Sequence, residues 1–199
     1  MNRTRTVGIF IFPDVEVLDF CGPFEVFSVA GRQIAPDSFR VCTIGQVAET
    51  LRARNGLQVV PDYTWESAPP IDVLLIPGGQ GTRPLIDDAP TIDWIKRSAN
   101  HAELVLSVCT GAILLAKAGL LDGLSATTHH GALDLLRELA PKTNVRDDTR
   151  VVDNGRVVCS AGVAAGIDMS FHVVAKLLGE ETATKTARYI EYPWQPTSH

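Results

Sequence analysis

The sequence predicts an α/β fold: a mostly parallel sheet with helices on both faces. Three observations carry this. Short continuous apolar runs such as "VLLI" (73–76) and "LVLSV" (104–108) read as strands buried on both faces. They alternate along the chain with segments whose apolar residues recur at helical spacing. No repeat, low-complexity tract or Pro/Gly linker divides the 199 residues, so residues 1–199 are expected to form one domain.

The elements follow in order. Thr6–Phe12 is the first strand, stopped by Pro13. It lies behind a basic start, but the run is short and acids follow it without a small-residue cleavage site, so it does not read as an export signal. Pro23–Gln33 is expected to be a helix with proline in its first turn. Phe39–Ile44 and Leu57–Val60 read as strands, then Val73–Ile76, which ends in Pro-Gly-Gly. A helix over Thr91–Ala99 precedes the strand Leu104–Val108. The helix Thr110–Ala118 comes next, closed by Gly119. Ala126–Thr128 is a short strand and Ala132–Leu139 a helix. "RVVDNGRVV" has two Val-rich arms around Asn154-Gly155, a hairpin signal. Ile167–Leu178 and Thr182–Tyr189 read as closing helices.

Composition narrows the function classes. Hydrophobic residues are 45% and charged residues 21%, enough for a real core. A net charge of -5 with scattered cations provides no basic stripe for nucleic acid and no polybasic membrane patch. No apolar run approaches the ~18 residues of a membrane span. Cys21, Cys42, Cys109 and Cys159 follow no CxxC or zinc spacing. The expectation is a cytoplasmic protein with reduced thiols, and the chemistry read below needs no metal or organic cofactor.

Ligands in such sheets bind beyond the carboxyl ends of strands. Cys109 stands at one of these ends, in "SVCTG" (107–111), with the layout of a nucleophile elbow. Ser107 and Gly111 are small enough for its tight turn. A helix starting just after the sulfur favours thiolate, so Cys109 is expected to be the most reactive thiol, with a pKa below the free value of ~8.5. The backbone N–H groups around Thr110 can hold a developing negative charge. The alternative is a buried Cys acting as a small hydrophobe, and that reading is kept for Cys42 and Cys159.

Three further stretches carry candidates. In "EVLDFCGPFEVF" a carboxylate among apolar residues can hold a proton near neutrality, so Asp19 can serve as acid and base. Otherwise Asp19 caps the helix beginning near Pro23, and Glu25 is a solvated helix residue. In "IPGGQGTRP", Gly78 and Gly79 let backbone N–H groups approach a ligand, or simply form a flexible turn. In "TTHHG", the histidines at 129 and 130 face opposite sides of an extended chain, so at most one reaches the site, with His129 the candidate. His101 and His172 read as surface and helix residues, and His199 as a terminal one.

Taken together, "VGIFIFPDVEVLDFCGPFEVF", "DVLLIPGG", "VCTGAILLAKAGLLDG", "ATTHH" and "VVCSAGVAAGIDMSFHVVAKLLG" resemble the ThiJ/PfpI superfamily from about Val7 to Trp194. The resemblance implies a flavodoxin-like three-layer sandwich with a Cys elbow, usually a homodimer with sites near its interface. "LDFCGPFEVF" and "CTGA" are most similar to the isocyanide hydratases and to the amidotransferase-like domain of AraC-type regulators. In the hydratases the Asp of "LD" faces the nucleophilic Cys, which maps to Asp19 and Cys109, with Thr110 following. Thr110 also stands where the protease branch has His. His130 stands where the hydratases have Trp, and Cys21 is a further departure. The regulators read DNA with a C-terminal domain; the sequence given ends at His199, soon after the last of these motifs, and a nucleic-acid partner is not expected. The activity implied is hydration of an isocyanide by a Cys109-dependent reaction. An oxidisable stress-sensing module and a glyoxalase or deglycase are the alternatives.

Overall fold

The computed structural model describes residues 3–195; His199 lies outside them. The strands are β1 (Arg5–Phe10), β2 (Phe39–Gly45), β3 (Leu51–Arg52), β4 (Gln58–Val59), β5 (Tyr63–Thr64), β6 (Val73–Ile76), β7 (Leu104–Val108), β8 (Ser125–Ala126), β9 (Asn144–Val145), β10 (Val151–Asp153) and β11 (Val157–Ser160). The helices are α1 (Val17–Val29), α2 (Thr82–Leu85), α3 (Ala89–His101), α4 (Gly111–Lys117), α5 (Leu133–Leu139), α6 (Ala165–Leu178) and α7 (Glu180–Tyr189).

Seven strands form one sheet in the order β10-β11-β7-β6-β1-β2-β5. All neighbours are parallel except β10, which pairs antiparallel with β11 through the expected Asn154-Gly155 hairpin. Every residue of β6, β7 and β11 is buried, as strands covered on both faces must be. Helices α1, α6 and α7 contact one another and cover one side. Helices α2, α3, α4 and α5 form the other layer around α4, which lies on β6 and β7. The α/β three-layer class is as the sequence predicts.

Some boundaries differ. The first helix begins six residues before Pro23, which sits inside α1. The apolar residues Val17, Leu18 and Phe20 already lie on a helix there, and tertiary packing outweighs the proline's lost donor. Its last turn runs on as a π-helical segment over Ala30–Ile34. The strand expected at Leu57–Val60 shrinks to β4. It pairs only with β3, outside the main sheet, and leaves Leu57 and Val60 exposed. Strands β5 and β9 and helix α2, two to four residues long, have no sequence signal of their own.

Candidate active site

The chain runs from β1 to β2 on one side, then returns to β6 and β7 on the other, so the strand order reverses between β1 and β6. Such a switch point opens a crevice at the carboxyl ends of the strands. The loops after β1 and β6 meet there: Val15 bridges Gly79, and Glu16 N–H donates to the Gly78 carbonyl at 2.9 Å. Cys109 follows directly at the end of β7.

Cys109 has φ of +56°, a left-handed conformation that costs a non-glycine residue about 1–2 kcal/mol. Neighbouring bonds hold it there. Its N–H donates to the Ser160 and Ala161 carbonyls at 3.2 and 3.0 Å, and its carbonyl accepts from Thr128 Oγ1 at 2.7 Å. Gly111 is required because a methyl group there would strike the Ile76 carbonyl. The close approach is thus to β6, and not to Ser107 as the local motif implies.

Cys109 is buried, with 6% of the residue exposed. Backbone N–H groups of Thr110 and Val163 favour its charged form, but burial first and the Asp19 charge second push it up to about 12. The expected low-pKa thiolate is therefore corrected: helix-end polarity does not offset burial beside a carboxylate. Burial also raises Cys42 and Cys159, each to about 11, and raises the half-buried Cys21.

Asp19 lies in the first turn of α1 with no exposed surface. Its Oδ2 accepts the Gly78 N–H at 2.9 Å. Its Oδ1 is buried with no partner of ordinary hydrogen-bond geometry. Burial raises the carboxyl to about 7, with the Gly78 bond opposing, the Glu16 charge adding, and the Cys109 thiol weakly favouring the carboxylate. Asp19 is not a cap: the N-cap is Glu16, without a side-chain bond, and the helix does not start at Pro23. Glu25 is exposed on α1.

Thr110 Oγ1 accepts the Gly79 N–H at 3.0 Å and lies 3.2 Å from Thr82 Oγ1. The Gly78 and Gly79 amides are therefore both taken by protein side chains, which corrects the expectation that they meet a ligand directly. Their role here is proximity. A methyl group on Gly78 would sit 2.7 Å from Thr110 Oγ1 and 2.8 Å from Asp19 Oδ2. Gly79 has φ of +127°, a region that favours glycine.

A cavity of about 290 Å³ opens over Cys109 and Thr110, walled by Glu16, Arg54, Gln80, Arg83, His129 and Val163. His129 is half-buried; its Nδ1 accepts the Gly131 N–H at 3.1 Å, which leaves Nε2 as the N–H of the neutral ring. Burial, then the charges of His130, Arg83 and Arg54, lower its pKa. His130 packs against it, tilted, at 4.1 Å between ring centres, but is exposed and does not line this cavity. Gln80 and Arg83 lie in the glycine-rich stretch 76–84 and Val163 in the stretch 157–179, but nothing in either singles these residues out. With Arg54 they reach the cavity only through the meeting of distant segments in the fold. Val163, left-handed at φ +48°, is a β-branched residue in an unusual conformation. Larger clefts lie at Trp65 and Trp94, beside Trp194, and against His129 and His130; none of these three is lined by a cysteine. Among the described residues no cluster of three or more His, Cys, Asp or Glu is placed to hold a metal. No described helix is long and apolar enough to cross a membrane.

The pattern of the DJ-1/PfpI family matches residues 5–176. The chain belongs to the DJ-1/PfpI family. Among its relatives in this family, the isonitrile hydratase of Pseudomonas putida is 37% identical over 190 residues, covering 96% of this chain and 79% of that protein. The HTH-type transcriptional regulator GbdR of Pseudomonas aeruginosa is 24% identical over 192 residues, 96% of this chain and 52% of the regulator. The chain thus spans about half the length of that regulator. A ThiJ/PfpI family protein from Pseudomonas syringae superposes with a TM-score of 0.87 at 27% identity, over 100% of this chain and 79% of that one.

Proposed function

We propose that this DJ-1/PfpI protein hydrates a small isocyanide to an N-substituted formamide, with Cys109 as nucleophile and Asp19 as the proton-transfer group. The observation that carries the reading is the buried Asp19 carboxyl, raised to about 7, with one unpartnered oxygen beside a cysteine thiol. A carboxyl poised near neutrality both accepts and donates a proton at working pH. The 37% identity to an isonitrile hydratase supports this substrate class.

The steps balance as follows. The Cys109 sulfur bonds to the terminal isocyanide carbon while its proton passes to the Asp19 carboxylate. The resulting carboxylic acid gives that proton to the carbon, leaving the thioimidate S–CH=N–R. Water then adds to the carbon. One water proton goes to nitrogen, the other to the departing sulfur, with Asp19 relaying, and the C–S bond breaks to release R–NH–CHO. The Thr110 and Val163 N–H groups, which already favour charge on the sulfur, stabilise it as it forms and departs. The acting nucleophile is thus made by proton transfer during attack, not stored as thiolate. His129 orients the substrate through Nε2–H.

The active unit is proposed to be a cytoplasmic homodimer; light scattering at micromolar concentration should return about twice the 21.5 kDa chain mass, and a value near 21.5 kDa would contradict this. The activity is tested by incubating purified protein with alkyl and aryl isocyanides and identifying formamides by mass spectrometry. Wild type should form them and Cys109→Ala should not. Formamide from both at equal rates, or from neither, refutes the proposal.

A further inference from the structure

The two cations in the Cys109 cavity are in different states. Arg54 is paired with Glu16, the carboxylate among the lining residues, at 3.4 Å. Arg83 has no such partner. Its hydrogen bonds both leave from Nη1, to the Gly79 carbonyl at 3.2 Å and to Thr82 Oγ1 at 3.0 Å. Those bonds fix the guanidinium on the loop beside Thr110. Among the described residues nothing accepts from its Nε or Nη2, so the edge that binds a carboxylate with two parallel N–H groups is open. The side chain is half-buried at the cavity wall.

We propose that this pocket selects small electrophiles bearing a carboxylate, which the free edge of Arg83 holds while the electrophilic carbon meets Cys109. The inference rests on the reading of the Cys109 cavity as a substrate site. The cavity volume of about 290 Å³ is at the small end of ligand sites, which favours a compact anion over a large apolar group. With Glu16 and Arg54 paired, Arg83 is the lining cation left without a carboxylate, and Asp19, fully buried and outside the lining, holds its proton below about pH 7. The neutral His129 ring adds a donor without adding charge. The charges of Arg83 and Arg54 both reach the His129 ring, so both cations act on the same small space. A guanidinium in such a place selects by charge and by planar geometry, which a lysine ammonium does not reproduce.

The test uses two pairs of probes. N-Formylglycine and its methyl ester are titrated into wild type, Arg83→Gln and Arg83→Lys by calorimetry, with folding checked by circular dichroism. Isocyanoacetate and its methyl ester are compared as substrates. A charge-assisted bidentate contact should give the acid a ~10–100-fold advantage over the ester in wild type. That ratio should fall to about threefold or less in Arg83→Gln and stay intermediate in Arg83→Lys. Equal affinity of acid and ester in wild type, including no detectable binding of either, overturns the proposal, as does a ratio unchanged by Arg83→Gln. The two readings separate cleanly. Arg83-dependent binding of the acid without turnover of any isocyanide leaves the carboxylate site standing and removes the hydratase. Hydration of neutral isocyanides with no preference for the acid does the reverse.

Discussion

The Gly78 N–H donates to Asp19 Oδ2 at 2.9 Å, joining a loop at the end of β6 to the first turn of α1 across the point where the sheet reverses its strand order. The bond uses one carboxyl oxygen and leaves the other free towards the cysteine. It also leaves no room for a side chain on residue 78.

Gly78→Ala tests that crowding. Its methyl group would lie 2.7 Å from Thr110 Oγ1 and 2.8 Å from Asp19 Oδ2, closer than real side-chain contacts allow. The loop must shift, at a cost of about 1–3 kcal/mol, typical of overpacking a filled site. Urea unfolding should show that loss, and turnover should fall more than tenfold because Asp19 and Thr110 are displaced together. Wild-type stability and turnover would mean that the loop and the carboxyl do not meet in this way.

Cys109→Gly and Cys109→Ala test the elbow. The φ of +56° at Cys109 penalises any residue with a β-carbon. Glycine should therefore be the more stable replacement, by about 1 kcal/mol, reversing the usual order in which alanine wins. Denaturant midpoints of the two inactive variants give the comparison directly. An alanine variant as stable as the glycine one would show that residue 109 is not left-handed in solution.

The elbow also shows how far the sequence could be read. The strand ends at Ile76 and Val108 were legible because a continuous apolar run between turn residues has one economical place, the middle of a covered sheet. Cys109 was legible because a lone cysteine followed by Thr-Gly at such an end fits a tight strand-to-helix turn. Asp19 was legible as an acid inside an apolar stretch, but its helix was placed too late because Pro23 looks like a helix start. The ionisation of Cys109 was not legible. It depends on burial and on a carboxylate 90 residues away in the chain, and local helix polarity pointed the other way. Arg54, Arg83 and Val163 were missed because contacts between distant segments, rather than residue pattern, bring them to the cavity.

That ionisation can be measured. With the thiol pushed up to about 12, the difference in thiolate absorbance near 240 nm between wild type and Cys109→Ser should show no step below about pH 9. Iodoacetamide labelling at pH 6 should not single out Cys109 over Cys21. A thiolate step below pH 8 assigned to Cys109 would restore the prepared nucleophile that helix polarity implies, and Asp19 would then not be needed to take its proton.

Asp19→Asn separates catalysis from stability because the two should move in opposite directions. In the folded chain the Asp19 carboxyl titrates near 7, against an ordinary value of 3.8. The folded state therefore retains a proton that the unfolded chain has already released, and the contribution of Asp19 to stability is fully present below about pH 4 and lost as pH rises through 7. Well above pH 7 the shift corresponds to a cost on the order of 4 kcal/mol for keeping the carboxylate buried. Asparagine carries no charge and can still accept the Gly78 N–H, so the variant should melt several degrees above wild type at pH 8 and converge with it near pH 4. Its amide cannot take up the thiol proton, so turnover should drop by ~10²–10⁴, the scale of general acid–base catalysis. In wild type kcat/KM should rise with pH through about 7, as the carboxylate that accepts the Cys109 proton forms, and that limb should be absent in the variant. A variant that melts below wild type at every pH would show that a partner stabilises the carboxylate. A folded variant with full turnover would make Asp19 structural, and the proton would have to leave Cys109 by another route.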